Sequence, residues 1–171
     1  MKSPVIADVK VDFAGILKDN QSMVFSLALR FVRDRAGAEE LAQDVFLQLY
    51  QQLDKIETPA HATWWLRRTV CHRSIDEVRK RKIRPRIGLD NIPEPADKFA
   101  PPDLMLQGRI RQMVDALPEK ARMVVTLRYQ EDLDPTEIAE VLGMPISTVK
   151  SHLHRSLTLL RARQQKQEVC S

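Results

Sequence analysis

The sequence predicts an all-α chain, two small helical domains joined by a proline-rich linker, and three observations support this. Among 171 residues there are only five glycines, while Leu, Arg, Gln, Ala and Glu are plentiful, a balance that favours helix over sheet. Apolar residues recur at helical spacing in two separate blocks. Between the blocks, Ile83 to Pro102 holds Pro85, Pro93, Pro95, Pro101 and Pro102 with Gly88 and little periodicity. Proline removes a backbone donor and disfavours helix at the residue before it, so this stretch reads as a connector. The predicted division is 1–82, a linker at 83–103, and 104–171. Each half is long enough to bury a helical core.

Helical pattern begins near Asn20, where Val24, Leu27, Ala28 and Phe31 follow the i, i+3, i+4, i+7 template. Arg33-Asp34-Arg35-Ala36-Gly37 interrupts it. A second helix is expected from about Ala38 to Leu53, with a core stripe of Ala42, Val45, Phe46, Leu49 and Leu53. A third runs from about Ala62 to Arg81 and ends in a basic block. Beyond the linker, helix is expected from Leu104 to Leu117. It restarts at Pro118, a good first-turn residue, and continues to about Tyr129. In Asp134-Pro135-Thr136-Glu137, Asp134 can cap, Pro135 can take the first helical position, and Glu137 can bond back to the cap amide. The short helix behind it buries Ile138, Val141 and Leu142. Gly143-Met144-Pro145 ends that helix and starts another, which makes a helix-turn-helix.

Charge is distributed unevenly although the net value is only +4. From Arg67 to Arg86 there are nine Lys or Arg residues against two acids, Asp76 and Glu77; from Met144 to Gln167 there are five and no acid. Acids gather instead at Glu39 to Asp44 and Glu131 to Glu140. Two basic stretches with acidic surfaces between them suggest two contacts with a polyanion and a different partner elsewhere.

The last helix is the most informative element. Ile146, Val149, Leu153, Leu157 and Leu160 fall in one narrow arc at 100° per residue and are expected to face the core. The opposite arc carries Thr148, Ser151 and Arg155, with Ser147, His152 and His154 on its shoulders. Lys150 lies near the core margin, where its stem can pack while its ammonium reaches a phosphate. A face of hydroxyl, imidazole and guanidinium groups without carboxylates suits the DNA major groove, where Arg155 can donate twice to guanine. A generic solvated helix would usually mix in Glu or Asp.

Other chemistry finds little support. His152 and His154 are two apart, so on a helix they point away from each other and cannot chelate jointly; no metal and no cofactor are expected. Asp76 and Glu77 are consecutive amid arginines and suit intrahelical ion pairs better than catalysis, so no enzyme is expected. Cys71 and Cys170 form no CxxC pair and read as a buried thiol and a tail thiol, with redox sensing as the alternative. The sequence begins with no secretory pattern and no run approaches membrane-span length, so a cytoplasmic location is expected.

Three strings carry a family resemblance. LPEKARMVVTLRYQEDLDPTEIAEVLGMPISTVKSHLHRSLTLLR, from Leu117 to Arg161, resembles region 4 of extracytoplasmic-function (ECF) sigma factors, the promoter-reading subunits of bacterial RNA polymerase. ALRFVRDRAGAEELAQDVFLQLY, from Ala28 to Tyr50, is similar to their regions 2.1–2.2. WWLRRTVCHRSIDEVRKRK, from Trp64 to Lys82, is similar to regions 2.3–2.4. The resemblance implies an alternative-type sigma factor that binds core RNA polymerase, recognises −35 and −10 promoter elements, and opens the DNA. It also implies an anti-sigma factor as a further partner.

Region 2.2 would dock on the polymerase through Glu40, Gln43, Asp44, Leu47, Gln48 and Gln51, an acid-and-amide face with an apolar Leu47 at its centre. Regions 2.3–2.4 would engage the −10 element and the melted non-template strand through Trp64, Arg67, Arg68, His72, Arg73, Arg79, Lys80, Arg81 and Lys82. Trp65 aligns with a core tryptophan of the family, whereas Trp64 can stack near an unpaired base or pack in the core. Region 4 would read the double-stranded −35 element with Ser147, Thr148, Lys150, Ser151, His152, His154 and Arg155. The sequence departs from the family where His72 replaces a common Asn, Ser147 a frequent Gly and His152 a frequent Arg, so base preferences do not carry over from relatives. The rival reading is a stand-alone helix-turn-helix regulator, which leaves the acidic-amide face of the first domain unused.

Overall fold

The computed structural model describes residues 11–83 and 102–169. These residues form seven α-helices and one 3-10 turn, with no strand among them. The chain divides into two compact units, 1–85 and 86–171. The expected linker at 83–103 falls almost wholly outside the described residues.

In the first unit, α1 spans Phe13–Val32, α2 Arg35–Gln51 and α3 Pro59–Ile83, with the 3-10 turn Leu53–Lys55 joining α2 towards α3. The three helices pack on one another around Val24, Leu27, Ala28, Phe31, Val45, Leu49, Leu66 and Val70, all essentially inaccessible to solvent. Helix α1 starts seven residues before the expected Asn20, because Asp12 caps it by accepting from the amides of Ala14 and Gly15. Asn20 is itself buried in the apolar stripe. Its amide donates to the Ile16 carbonyl at 2.9 Å, so burial leaves that donor satisfied.

The break between α1 and α2 is shorter than expected. Arg33 ends α1 in the left-handed region (φ 59°), and Asp34 at once caps α2 by accepting from the Gly37 amide at 3.0 Å. Gly37 thus belongs to the first turn of α2. Ala42 and Leu53, expected in the core, are only half-buried; Ala38 and Leu41 are buried in α2 with Val45, Phe46 and Leu49. Trp65 is half-buried too.

In the second unit, α4 spans Pro102–Asp115, α5 Glu119–Tyr129, α6 Pro135–Leu142 and α7 Ile146–Val169. Helices α5 and α6 pack against α7 around Met123, Val124, Leu127, Ile138, Val141 and Val149. Leu117, Ala121 and Val125 form a satellite cluster with Val114 of α4. Pro118 occupies the cap position of α5, one residue before the helix proper. Buried Arg122 donates to the Asp115 carbonyl at 3.2 Å, which ties α5 to the end of α4.

Candidate nucleic-acid and polymerase interfaces

The turn that aims α7 is built from local chemistry. Asp134 accepts from the amides of Thr136 (2.7 Å) and Glu137 (2.9 Å), while its own amide donates to the Glu137 carboxylate at 2.7 Å. Pro135 occupies the first helical turn, completing the capping box expected from the sequence. The Glu137 amide, and then that of Thr136, hold the Asp134 carboxyl below its ordinary range. At the far end, Gly143 adopts φ 63°, a left-handed conformation that favours a residue without Cβ, and α7 begins three residues later.

On α7, Ser147, Lys150, Ser151, His154 and Arg155 are exposed, and Thr148 and His152 are half-buried. All seven predicted −35 residues therefore fall within the first three turns of one helix and keep solvent access. Two expectations for the opposite face need correcting. Ile146 is 40% exposed because it opens the first turn, and Leu153, Leu157 and Leu160 are only half-buried. The centre of the inner arc is instead Val149 and Ser156, both essentially inaccessible. Counting apolar residues alone passes over a small serine. His152 lies within electrostatic reach of Arg155 and of Lys120 at the start of α5. Burial, then these two cations, push its imidazole below the ordinary value, which favours the neutral form. Lys120 is exposed and was missed by sequence reasoning, which drew the candidate surface from α7 alone.

In the first unit, Trp64 is 37% exposed on α3. The Arg68 guanidinium sits 5.6 Å from its ring centroid, and the His61 ring lies 6.4 Å away. Trp64 is thus partly exposed beside a cation. Arg67, Arg68 and His72 are half-buried; Arg73, Arg79, Lys80 and Lys82 are exposed. Arg81 differs, because its guanidinium is held inside the unit. It donates to Glu77 (3.0 Å), to Asp34 (3.1 Å) and to the Val32 carbonyl (3.4 Å).

On α2, Leu47 is 61% exposed, with Glu40, Gln43, Asp44 and Gln51 exposed and Gln48 half-buried around it. The face expected to carry one apolar residue in a polar rim has that composition. Leu47 also borders an open apolar groove between α1 and α2, walled by Phe13, Leu17, Phe25, Ala42 and Phe46. Sequence reasoning missed this groove because it began α1 at Asn20 and so lost Phe13 and Leu17. The α2 and α3 sets also touch: Arg73 donates to the Gln48 side-chain oxygen at 3.2 Å and lies 3.9 Å from the Asp44 carboxylate. No His, Cys, Asp and Glu cluster suited to a metal occurs among the described residues, and no described helix is long and apolar enough to cross a membrane.

Comparison with known proteins is consistent across sequence and fold. Residues 16–83 match the family described as Sigma-70 region 2, and residues 107–160 match Sigma-70, region 4. The chain is 31% identical over 167 residues to the ECF RNA polymerase sigma factor SigW of Bacillus subtilis, covering 90% of this chain and 88% of SigW. It is 30% identical over 151 residues to the RNA polymerase sigma-E factor of Streptomyces coelicolor, covering 88% and 85%. Among solved structures, the sigma factor RpoE of Bartonella quintana, in complex with the anti-sigma factor NepR, shares the fold. The TM-score is 0.72 at 18% identity over 90% of this chain and 97% of that one. CnrH in complex with the cytosolic domain of CnrY gives a TM-score of 0.64 at 19% identity, covering 90% of this chain and 88% of that one. With both sigma-70 regions matched in order and relatives aligned over most of their length, the chain belongs to the ECF sigma factors, alternative sigma subunits of RNA polymerase that initiate transcription at promoters.

Proposed function

We propose that this sigma factor uses three surfaces: α2 to dock core polymerase, α3 to hold the melted −10 strand, and the first turns of α7 to read the −35 duplex. The carboxylate-free outer face of α7, behind the capped α6 and its Gly143 turn, is the observation that carries the reading. Hydroxyls, imidazoles and Arg155 there match base edges, while Lys150 and Lys120 suit the flanking phosphates.

Leu47 supplies an apolar centre for the polymerase dock, Asp44, Gln43 and Gln48 its polar rim, and the neighbouring groove extends it. On α3, Arg79, Lys80 and Lys82 neutralise phosphates, while the partly exposed Trp64 suits an unpaired base. No step requires a catalytic group: binding energy shifts the DNA from paired to open by capturing bases as they leave the stack. Residues 83–103 connect the −10-binding and −35-binding parts. The factor acts in the cytoplasm, where core polymerase and promoter DNA meet. An anti-sigma protein restrains it, as fits the complex of RpoE of Bartonella quintana with the anti-sigma factor NepR.

Reconstitution tests this reading directly. The purified chain should bind core polymerase and direct it to a selected subset of a randomised promoter library. Sequence-specific DNA binding without any polymerase affinity would support the stand-alone regulator instead.

A further inference from the structure

Of the nine side chains the sequence assigns to −10 DNA, Arg81 has three partners within the protein. Its three partners come from three places: Glu77 one turn back on α3, the Val32 carbonyl in the last turn of α1, and the cap residue Asp34 of α2. The Asp34 carboxylate does two jobs, accepting from the Gly37 amide and from Arg81. The Arg81, Asp34 and Glu77 side chains are each only 26–30% exposed. Burial works against the Arg81 charge, but the hydrogen bonds to Glu77 and Asp34 outweigh it, and the guanidinium stays ionised.

Gly37 is the second, independent observation. A Cβ there would collide with a terminal guanidinium nitrogen of Arg81 and lie 2.7 Å from the Asp34 carboxylate. Gly37 lies within helix α2, where alanine is ordinarily the better residue. Close approach of Arg81 and of the Asp34 cap is thus what the missing side chain permits.

We infer that Arg81 is a positioning residue that pins the last turn of α3 to the α1–α2 junction, so that its neighbours Arg79, Lys80 and Lys82 face −10 DNA, and is not itself a phosphate contact. The inference rests on the reading of α3 as the −10 surface. Arginine suits this role because its planar fork reaches several acceptors at once, which an ammonium on a flexible stem does not reproduce.

Holoenzyme made with the full-length chain, titrated with a single-stranded −10 probe over a range of salt concentrations, separates the alternatives. Lys80→Ala should lower the slope of log affinity against log salt by about 0.7, the signature of one lost phosphate contact on a single strand. Arg81→Ala and Arg81→Lys should both weaken probe binding several-fold with the slope unchanged and polymerase affinity intact. Gly37→Ala, which removes no charge, should reproduce that loss. It should also lower the thermal midpoint, opposite to the usual effect of alanine at a helical glycine. In an Arg81→Ala background, Gly37→Ala should cost less than it does alone, since the guanidinium it displaces is gone.

The inference is overturned if Arg81→Ala lowers the salt slope as Lys80→Ala does while Arg81→Lys restores binding. It is equally overturned if polymerase affinity falls in step with probe binding, because Arg81 would then support the fold at large. Failure of the wild-type holoenzyme to bind the probe would instead reject the −10 reading of α3.

Discussion

The basic stretch of α3 and the first turns of α7 look alike in sequence and use their cations differently. On α3, Arg81 is held by three acceptors, Arg73 leans on Gln48 and Asp44 of α2, and Arg68 lies over Trp64. On α7, Lys150, Ser151, His154 and Arg155 are exposed on a stretch with no acid between Met144 and Gln167. Helix α3 packs against α1 and α2, and the α2 cap Asp34 and mid-helix Asp44 take up part of its charge. The contrast teaches that a basic stretch marks a polyanion surface only after its internal partners have been subtracted.

Substitutions test this contrast, and the largest effect is expected on the exposed first turns of α7. Replacing Arg155 with Ala should reduce discrimination at one −35 position by about 1–3 kcal/mol, as for loss of a bidentate base contact. Competition binding with single-base −35 variants measures it, and an unchanged preference would place the reading elsewhere on α7. Polymerase affinity should not move; equal loss of both would indicate misfolding.

Next in size is the joint replacement of Asp44 and Leu47 by Ala, which should weaken core polymerase binding about tenfold, in the range of an interface centre. Because Arg73 loses its Asp44 neighbour, the same variant probes the link between the two faces. Any rise in −10 probe affinity would show that the contact restrains Arg73. Unchanged polymerase affinity would reject this face as the dock.

Gly143→Ala should cost about 1 kcal/mol, since an L-residue at φ 63° is strained. Chemical denaturation measures the loss, and −35 binding should fall with it because the turn aims α7.

The smallest effect is a pH dependence. The folded His152 has a value below the ordinary 6.5, so below that pH the unfolded chain takes up a proton that the folded one resists. Its contribution to stability is complete above pH 6.5 and declines as the pH falls towards the folded value. A His152→Gln variant should therefore show a flatter thermal midpoint between pH 7 and 5.5, and parallel profiles would remove His152 from this account.

How much was legible in advance follows from how far each interaction reaches along the chain. Asp134, Pro135 and Glu137 form their capping box within four residues, so reading them in order was enough. The same holds for Gly143, and for the outer face of α7, whose side chains share one helix. The start of α1 was not legible because polar Asn20 stands in its apolar stripe. Its burial is offset by the bond to the Ile16 carbonyl, which pattern counting does not see. Ser156 misled in the same way on the inner arc of α7.

The helical class, the capped turn that launches α7, and the chemical character of both basic stretches are legible in the sequence, because these depend on local spacing and residue type. So, through its resemblance to ECF sigma factors, is the family to which the chain belongs. Which cations face outwards depends on packing. Arg81 meets Asp34, 47 residues away, and Arg73 meets Gln48, 25 residues away. Packing of the three helices creates these neighbours, and with them the groove between α1 and α2. A guanidinium binds whichever acceptor the fold places within about 3 Å, and a sequence lists acceptors without their distances.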